Sequence, residues 1–205
     1  MTPPPPSSVL PAQDVPTGTA TENDGAVPTV FTPIQVRGLE LQNRFVVSPM
    51  GTWSAIDGHL TDFHVVHYGA FALRGAALSV VEATAVAANG RTSPQDSGLW
   101  SDSQIQPLRC VFDFVHAQGQ KAGIQLNHGG RKSSTLAPRL APGGKVTIAT
   151  EKDGGWPQDV WAPSAIPHSK EYVTPHALTM EVINALVESF GSSARRAVQA
   201  GAGKH

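Results

Sequence analysis

A single cysteine, Cys110, stands in a chain of 205 residues, so no internal disulfide framework holds it together. Its setting among Leu108, Val111 and Phe112 reads as a buried structural thiol. Charge is equally sparse. Charged residues make up 15% and the formal net charge is -1, with no basic block suited to nucleic acid or an anionic membrane surface. No run approaches the ~18 apolar residues needed to span a bilayer. Met1 to Pro28 has neither the basic start nor the apolar core of a targeting signal. That stretch is rich in Pro, Thr, Ser and Ala, and burial of so few apolar groups cannot offset the entropy of ordering it. Residues 1–29 therefore read as a disordered tail and 30–205 as one domain. These absences predict a cytoplasmic protein with neither nucleic acid nor membrane among its partners.

What is present begins with three apolar, β-branched runs that break off into polar or glycine residues. They are Phe45 to Gly51, Val80 to Val86 and Gly123 to Lys132, with strands starting near Phe45, Leu78 and Lys121. Such runs read as buried parallel strands that open into a functional face. Helical segments separate them, a βαβ rhythm in which ligands bind at the carboxyl ends of the strands. The chemistry is thus expected at Ser48 to Trp53, Ala83 to Val86 and Gln125 to Lys132. Val46, Val80, Ile124 and Leu126 are expected on the inward face of the sheet.

Thr61 is placed to cap a helix carrying Phe63, Val66, Ala70 and Leu73 at three- and four-residue intervals, with Gly75 to close it. Ile105, Leu108, Val111, Phe112 and Val115 form a second stripe, ended by Gly119. Thr179 caps a third helix, whose inner face would carry Val182, Ile183, Leu186, Phe190, Ala194 and Ala197. Between Lys132 and Thr179 lies a Pro- and Gly-rich excursion, with Lys145 to Ala149 as a short strand.

Several residues carry candidate chemistry. Pro49 removes a ladder donor and so ends the first strand at Ser48, Pro49 and Met50, which a plain strand end would also explain. Gln125 places a primary amide at the end of a buried strand, where unpaired polar groups cost about 1–3 kcal/mol. Ala83 is small enough for a ligand to approach its backbone, or is simply a core alanine. His64 and His67 stand three apart, but no carboxylate or cysteine completes a metal set, so helix packing explains them and no metal is expected. His128-Gly129-Gly130 has the form of an esterase oxyanion loop, yet no Gly-x-Ser-x-Gly elbow accompanies it. Gly203-Lys204 fails as a phosphate loop, since Val198 and His205 occupy positions that need Gly and Ser or Thr.

Six motifs in order make the reading specific. They are Val30 to Ile34; Asn43-Arg44 before Ser48-Pro49-Met50; Leu60 to His64; His67-Tyr68; Gly98 to Asp102; and Trp161 to Ile166. Over about residues 30–200 the chain resembles the N-terminal portion of the Old Yellow Enzyme family, closest to its thermophilic-like ene-reductase branch. The resemblance implies a (β/α)8 TIM barrel and non-covalent FMN. It also implies NADPH or NADH as reductant and reduction of the C=C bond of an α,β-unsaturated carbonyl substrate. By the same resemblance Ser48, Pro49, Met50 and Gly51 border the flavin ring, Ala83 approaches its edge, and Gln125 pairs with its pyrimidine. Trp53 replaces a common tyrosine and lines the substrate side. Gly51 departs from the pattern, where the family usually has a Cys or Thr that donates toward a flavin carbonyl.

A TIM barrel typically needs about 250 residues and eight strands. Only three such strands are legible here, so the fold class expected is α/β, an incomplete (β/α)8 barrel of about three strand-helix units plus a capping excursion. The family's carbonyl-polarising donors, its hydride-facing tyrosine and its phosphate cradle all fall beyond His205. No catalytic residue of that set is therefore expected in the chain, which reads as a truncated portion. Two functions stand open: part of an FMN-dependent ene-reductase, inactive alone, or a non-catalytic fragment or split half acting only through a partner. That partner would be a complementary half-barrel or a second copy in a homo-oligomer.

Overall fold

The computed structural model describes residues 15–20 and 26–203. A 3-10 turn, Thr29–Phe31, leads into the antiparallel pair β1 (Ile34–Val36) and β2 (Leu39–Leu41), joined through Arg37 at φ +54°. There follow β3 (Val46–Val47), α1 (Asp62–Leu73), β4 (Leu78–Ala85), β5 (Ser97–Gly98), α2 (Ile105–Ala117) and β6 (Lys121–Asn127). The excursion holds 3-10 turns and the short parallel pair β7 (Trp161–Ala162) and β8 (His176–Ala177), before α3 (Met180–Ala200).

β4 is the centre of the main sheet. β3 runs parallel to its start, with Val46 opposite Leu78, and β5 pairs parallel with its end, Thr84 opposite Ser97. β6 runs parallel along its other side, from Leu78 opposite Lys121 to Ala85 opposite Asn127. The register slips between Val81 and Thr84, where Glu82 and Ala83 stand against Gln125 alone. That is a β-bulge, and it re-aims the bulged side chains.

The core lies between one face of this sheet and the helices. Tyr68 and Ala72 of α1, Leu108, Val111, Phe112 and Val115 of α2, and Ala197 and Ala200 of α3 enclose Val81 and Ala122. Ile124 and Leu126 pack against the same cluster. A parallel sheet with its crossover helices on one side is the architecture of a sector of barrel wall. Since successive strand residues alternate between faces, Val46, Val80, Gly123 and Gln125 share the opposite, open face. Ile124 and Leu126 thus point outward to the helices, the reverse of the inward placement expected of them.

Other expectations are corrected at the same level of detail. Thr61 does open α1, with its N–H donated to His64 Nδ1 at 3.0 Å. The buried face, however, carries His64, Tyr68, Gly69 and Ala72, while Phe63 is 50% and Val66 71% exposed. The hydrophobic pattern was overridden because α1 faces a buried carboxylate, described below. The α2 stripe is buried as expected, but Cys110 is exposed on the outer side of that helix. On α3 the innermost residues are Ser193, Ala197 and Ala200, with Ile183, Phe190 and Ala194 exposed. The first barrel strand is only the two residues of β3, and Lys145 to Ala149 contributes just an isolated bridge between Thr135 and Ile148.

Part of the expected tail is tied down. Thr17 O accepts from Gln42 Nε2 at 2.7 Å and from Gln120 Nε2 at 3.0 Å, and Gly18 O accepts from Asn43 Nδ2 at 2.9 Å. Gly18 and Gly75, both at φ +86°, pack so closely that a Cβ on Gly18 would lie 2.4 Å from Gly75 O. The rest of the expected disorder, 1–14 and 21–25, lies outside the described residues.

Candidate functional site

The carboxyl ends of β3, β4 and β6 bring the expected residues to one rim. Ser48, Met50 and Gly51 continue β3 in exposed backbone, with Pro49 half-buried between them. Ala83 sits half-buried in the bulge of β4, beside Gln125 on β6. Gln125 is exposed rather than buried, and its side-chain amide forms no intrachain hydrogen bond among the described residues. The strand end expected to be enclosed is therefore an open shelf. Gly123 keeps the shelf flat, since a Cβ there would meet only Val80 at 3.9 Å.

Behind the rim lies a polar node that the sequence reading did not single out. Glu82 is 1% exposed. Its Oε2 accepts from Thr52 N at 2.8 Å and its Oε1 from Ser97 Oγ at 2.7 Å, while His64 Nε2 stands 3.4 Å from Oε1. Thr61 N–H already occupies His64 Nδ1, which leaves Nε2 to donate toward the carboxylate. The bulge deprives Glu82 N–H of its ladder partner, and it donates to Tyr68 Oη at 2.8 Å instead. Burial opposes ionisation of Glu82, but the hydrogen bonds from His64, Ser97 and Thr52 outweigh it and hold the carboxyl below its ordinary range. Burial also raises the Tyr68 phenol, which stays protonated. A charged residue inside the apolar run Val80 to Val86 was the available signal for this node.

Trp53 lies in the segment that Glu82 anchors. Its backbone has φ +51°, a conformation L side chains rarely adopt, and its indole covers Gly51, where a Cβ would sit 3.7 Å from Cε2 and Cζ2. Arg139 reaches in from the excursion and donates from Nη1 to Trp53 O, and to Thr52 O at 3.4 Å. A cavity of about 180 Å³ opens beside it, lined in part by Trp53, Leu136, Lys145 and Tyr172. On the other side of the mouth, His128 Nδ1 accepts from Gly130 N at 3.1 Å, and burial lowers the ring's proton affinity so that it stays neutral. A second cavity of about 260 Å³ runs from His128 and Trp161 to Val182 and Leu186 of α3. His64 and His67 part company: His64 belongs to the Glu82 node, while His67 stacks on Phe63 at 5.6 Å.

Residues 29–203 match the NADH:flavin oxidoreductase / NADH oxidase family. NADH:flavin oxidoreductase FG08077 of Gibberella zeae is 46% identical over 192 residues, which cover 93% of this chain and 45% of that protein. NADPH dehydrogenase of Bacillus subtilis is 38% identical over 174 residues, covering 84% of this chain and 45% of that one. Among solved structures, morphinone reductase in complex with tetrahydroNAD superposes with a TM-score of 0.69 at 28% identity, over 86% of this chain and 48% of that one. Old Yellow Enzyme from Pichia sp. shares the fold, with a TM-score of 0.70 at 24% identity. The chain spans about half the length of the relatives it matches. It belongs to the NADH:flavin oxidoreductase / NADH oxidase family, whose members are FMN-dependent NAD(P)H oxidoreductases of the Old Yellow Enzyme type.

Proposed function

We propose that this chain is the flavin-edge portion of an FMN-dependent ene-reductase, which uses NADPH or NADH to reduce the C=C bond of α,β-unsaturated carbonyl compounds. The observation that carries this reading is the shelf itself. The rim strands present small residues, Gly51 beyond β3, Ala83 in β4 and Gly123 within β6, and one exposed primary amide with no partner in the chain among the described residues, Gln125. A planar ring with a donor and acceptor edge fits such a surface, so the residues present suit FMN. When bound, FMN supplies hydride transfer from NAD(P)H to the activated alkene. In this reading Ser48, Pro49 and Met50 border the ring, and Gln125 fixes its pyrimidine edge. Trp53 excludes water on the substrate side.

Residues 29–203 joined to the remainder of the Gibberella zeae relative provide the test. That protein should purify yellow and oxidise NADPH in the presence of cyclohexenone. A preparation that stays colourless after incubation with FMN would sink the reading. In the same protein, Gln125→Leu is expected to weaken FMN by about 1–3 kcal/mol, the range for leaving polar groups unpaired, which raises Kd by about 5- to 150-fold. Flavin fluorescence quenching reads this directly, and an unchanged Kd would make Gln125 a spectator. Gly51 offers no side-chain donor, so Gly51→Cys should raise the flavin reduction potential by about 30–60 mV, as a donor stabilises charge that develops on reduction. Identical potentials in a spectroelectrochemical titration would show that Thr52, Trp53 or water already fills the role.

A second reading is favoured by the sheet's open edges. Among the described residues β3 pairs only with β4, as does β6, while Phe45 and Val46 are 45% and 50% exposed. We propose that the chain alone is inactive, and that these edges suit association with a complementary half-barrel or a second copy. The soluble setting of that assembly is proposed to be the cytoplasm.

A further inference from the structure

We infer that Arg139 is a positioning residue for substrate selectivity: reaching from the excursion, it fixes the Trp53 backbone and thereby sets where the indole wall stands over Gly51. This rests on the flavin-site reading above for its link to substrate, but the hold on Trp53 itself does not.

Three observations converge. The guanidinium donates to two consecutive carbonyls, Thr52 O and Trp53 O, and among the described residues no carboxylate lies within ion-pair distance of it. Arg139 is exposed, and these two carbonyls are the hydrogen-bond partners of its side chain among the described residues. Trp53 occupies left-handed φ/ψ space, which a bulky residue holds only where its surroundings over-determine it. The Thr52 N–H is fixed from the opposite side by Glu82. The Thr52–Trp53 segment is consequently held by the sheet at the Thr52 N–H and by the excursion at its two carbonyls. The wall so placed separates the Gly51 rim from the cavity of about 180 Å³ that Leu136, Lys145 and Tyr172 also line. A cavity that size accepts one ring or a short apolar chain, so a shift of the indole changes which substrates fit beyond the reacting bond.

The test compares Arg139→Met and Arg139→Lys with the parent chain. The Trp53 contribution is isolated as the difference between each protein and its Trp53→Phe partner. In the 205-residue chain, acrylamide quenching of that contribution should rise about twofold in Arg139→Met, as a held indole becomes mobile, and stay near the parent value in Arg139→Lys. In the chain joined to the remainder of the relative, Arg139→Met should leave FMN affinity within about twofold. It should change the preference between cyclohexenone and a ring-substituted enone by about five- to tenfold, through KM rather than kcat. Unchanged quenching in Arg139→Met would overturn the inference whatever the flavin does. Altered quenching with unaltered selectivity would overturn its link to substrate. A colourless joined protein with the quenching change present would overturn the proposed function and leave the hold on Trp53 standing.

Discussion

The 205-residue chain by itself is expected to reduce cyclohexenone with NADPH at least about a hundredfold more slowly than the joined protein, because one preorganised donor to a developing oxyanion is worth about 10²–10³ in rate. The family resemblance puts two such donors, and the tyrosine that faces the hydride, after a fourth barrel strand. Gly51 has no side chain to replace them, and the Glu82 carboxylate accepts rather than donates. The same chain is expected to self-associate. Phe45, Val46 and Val47 line a cavity with Phe71, Arg74 and Ala76 at the free edge of β3, and Phe63, Val66 and Leu73 of α1 are also exposed. An unpaired parallel edge beside a contiguous apolar surface is a template for pairing with another chain. Sedimentation velocity across a range of concentrations, alongside enone-dependent NADPH oxidation, reads both claims. A monomeric, yellow, cooperatively melting chain that turned over the enone would overturn them together.

Local signals in the sequence carried the order of elements and their rim. Val80 to Val86 and Gly123 to Asn127 read as parallel strands, and β4 and β6 lie there, although β6 is exposed at Gln125. Thr61 and Thr179 stand at the N-caps of α1 and α3 as the sequence indicates, and at Thr179 the hydroxyl itself accepts from Val182 N. The faces were harder to assign. A one-residue change of phase reverses every side chain on a strand, and Ile124 and Leu126 fell on the helix side for that reason. In α1 the apolar spacing of Phe63, Val66 and Leu73 described an outer surface, because the inner one is built from His64 and Tyr68 to satisfy Glu82. That requirement arises with a bulge between β4 and β6, a property of two strands together, whose one mark on the sequence is the charged Glu82 inside an apolar run. Arg139 was illegible for a similar reason: its partners are backbone carbonyls, more than eighty residues away, that any sequence would supply.

The Glu82 node should be the most sensitive position in the described structure. Glu82→Leu keeps much of the volume but removes the acceptor for Thr52 N–H, Ser97 Oγ and His64 Nε2. Ser97 can rotate to another acceptor, whereas the Thr52 N–H and the buried imidazole cannot move. Each group left unpaired costs about 1–3 kcal/mol, so a loss of about 3 kcal/mol is expected, a large share of a typical domain's 5–15. Glu82→Gln should cost less, since its carbonyl still accepts one of the two strong bonds. The pH dependence has a fixed sign. Because the folded carboxyl sits below its ordinary range, the unfolded chain binds the proton first as pH falls. The stability Glu82 contributes is therefore complete above the ordinary carboxylate range, about pH 4–5, and is lost as pH falls through the folded value. Urea melts of the joined protein at neutral and acidic pH would show the parent weakening toward acid more steeply than Glu82→Gln. Parallel slopes, or a Glu82→Leu midpoint within error of the parent, would mean that water or a shifted backbone satisfies Thr52. The bulge at Glu82 would then serve only to shape the shelf, and the segment that carries Gly51 and Trp53 would depend on Arg139 alone.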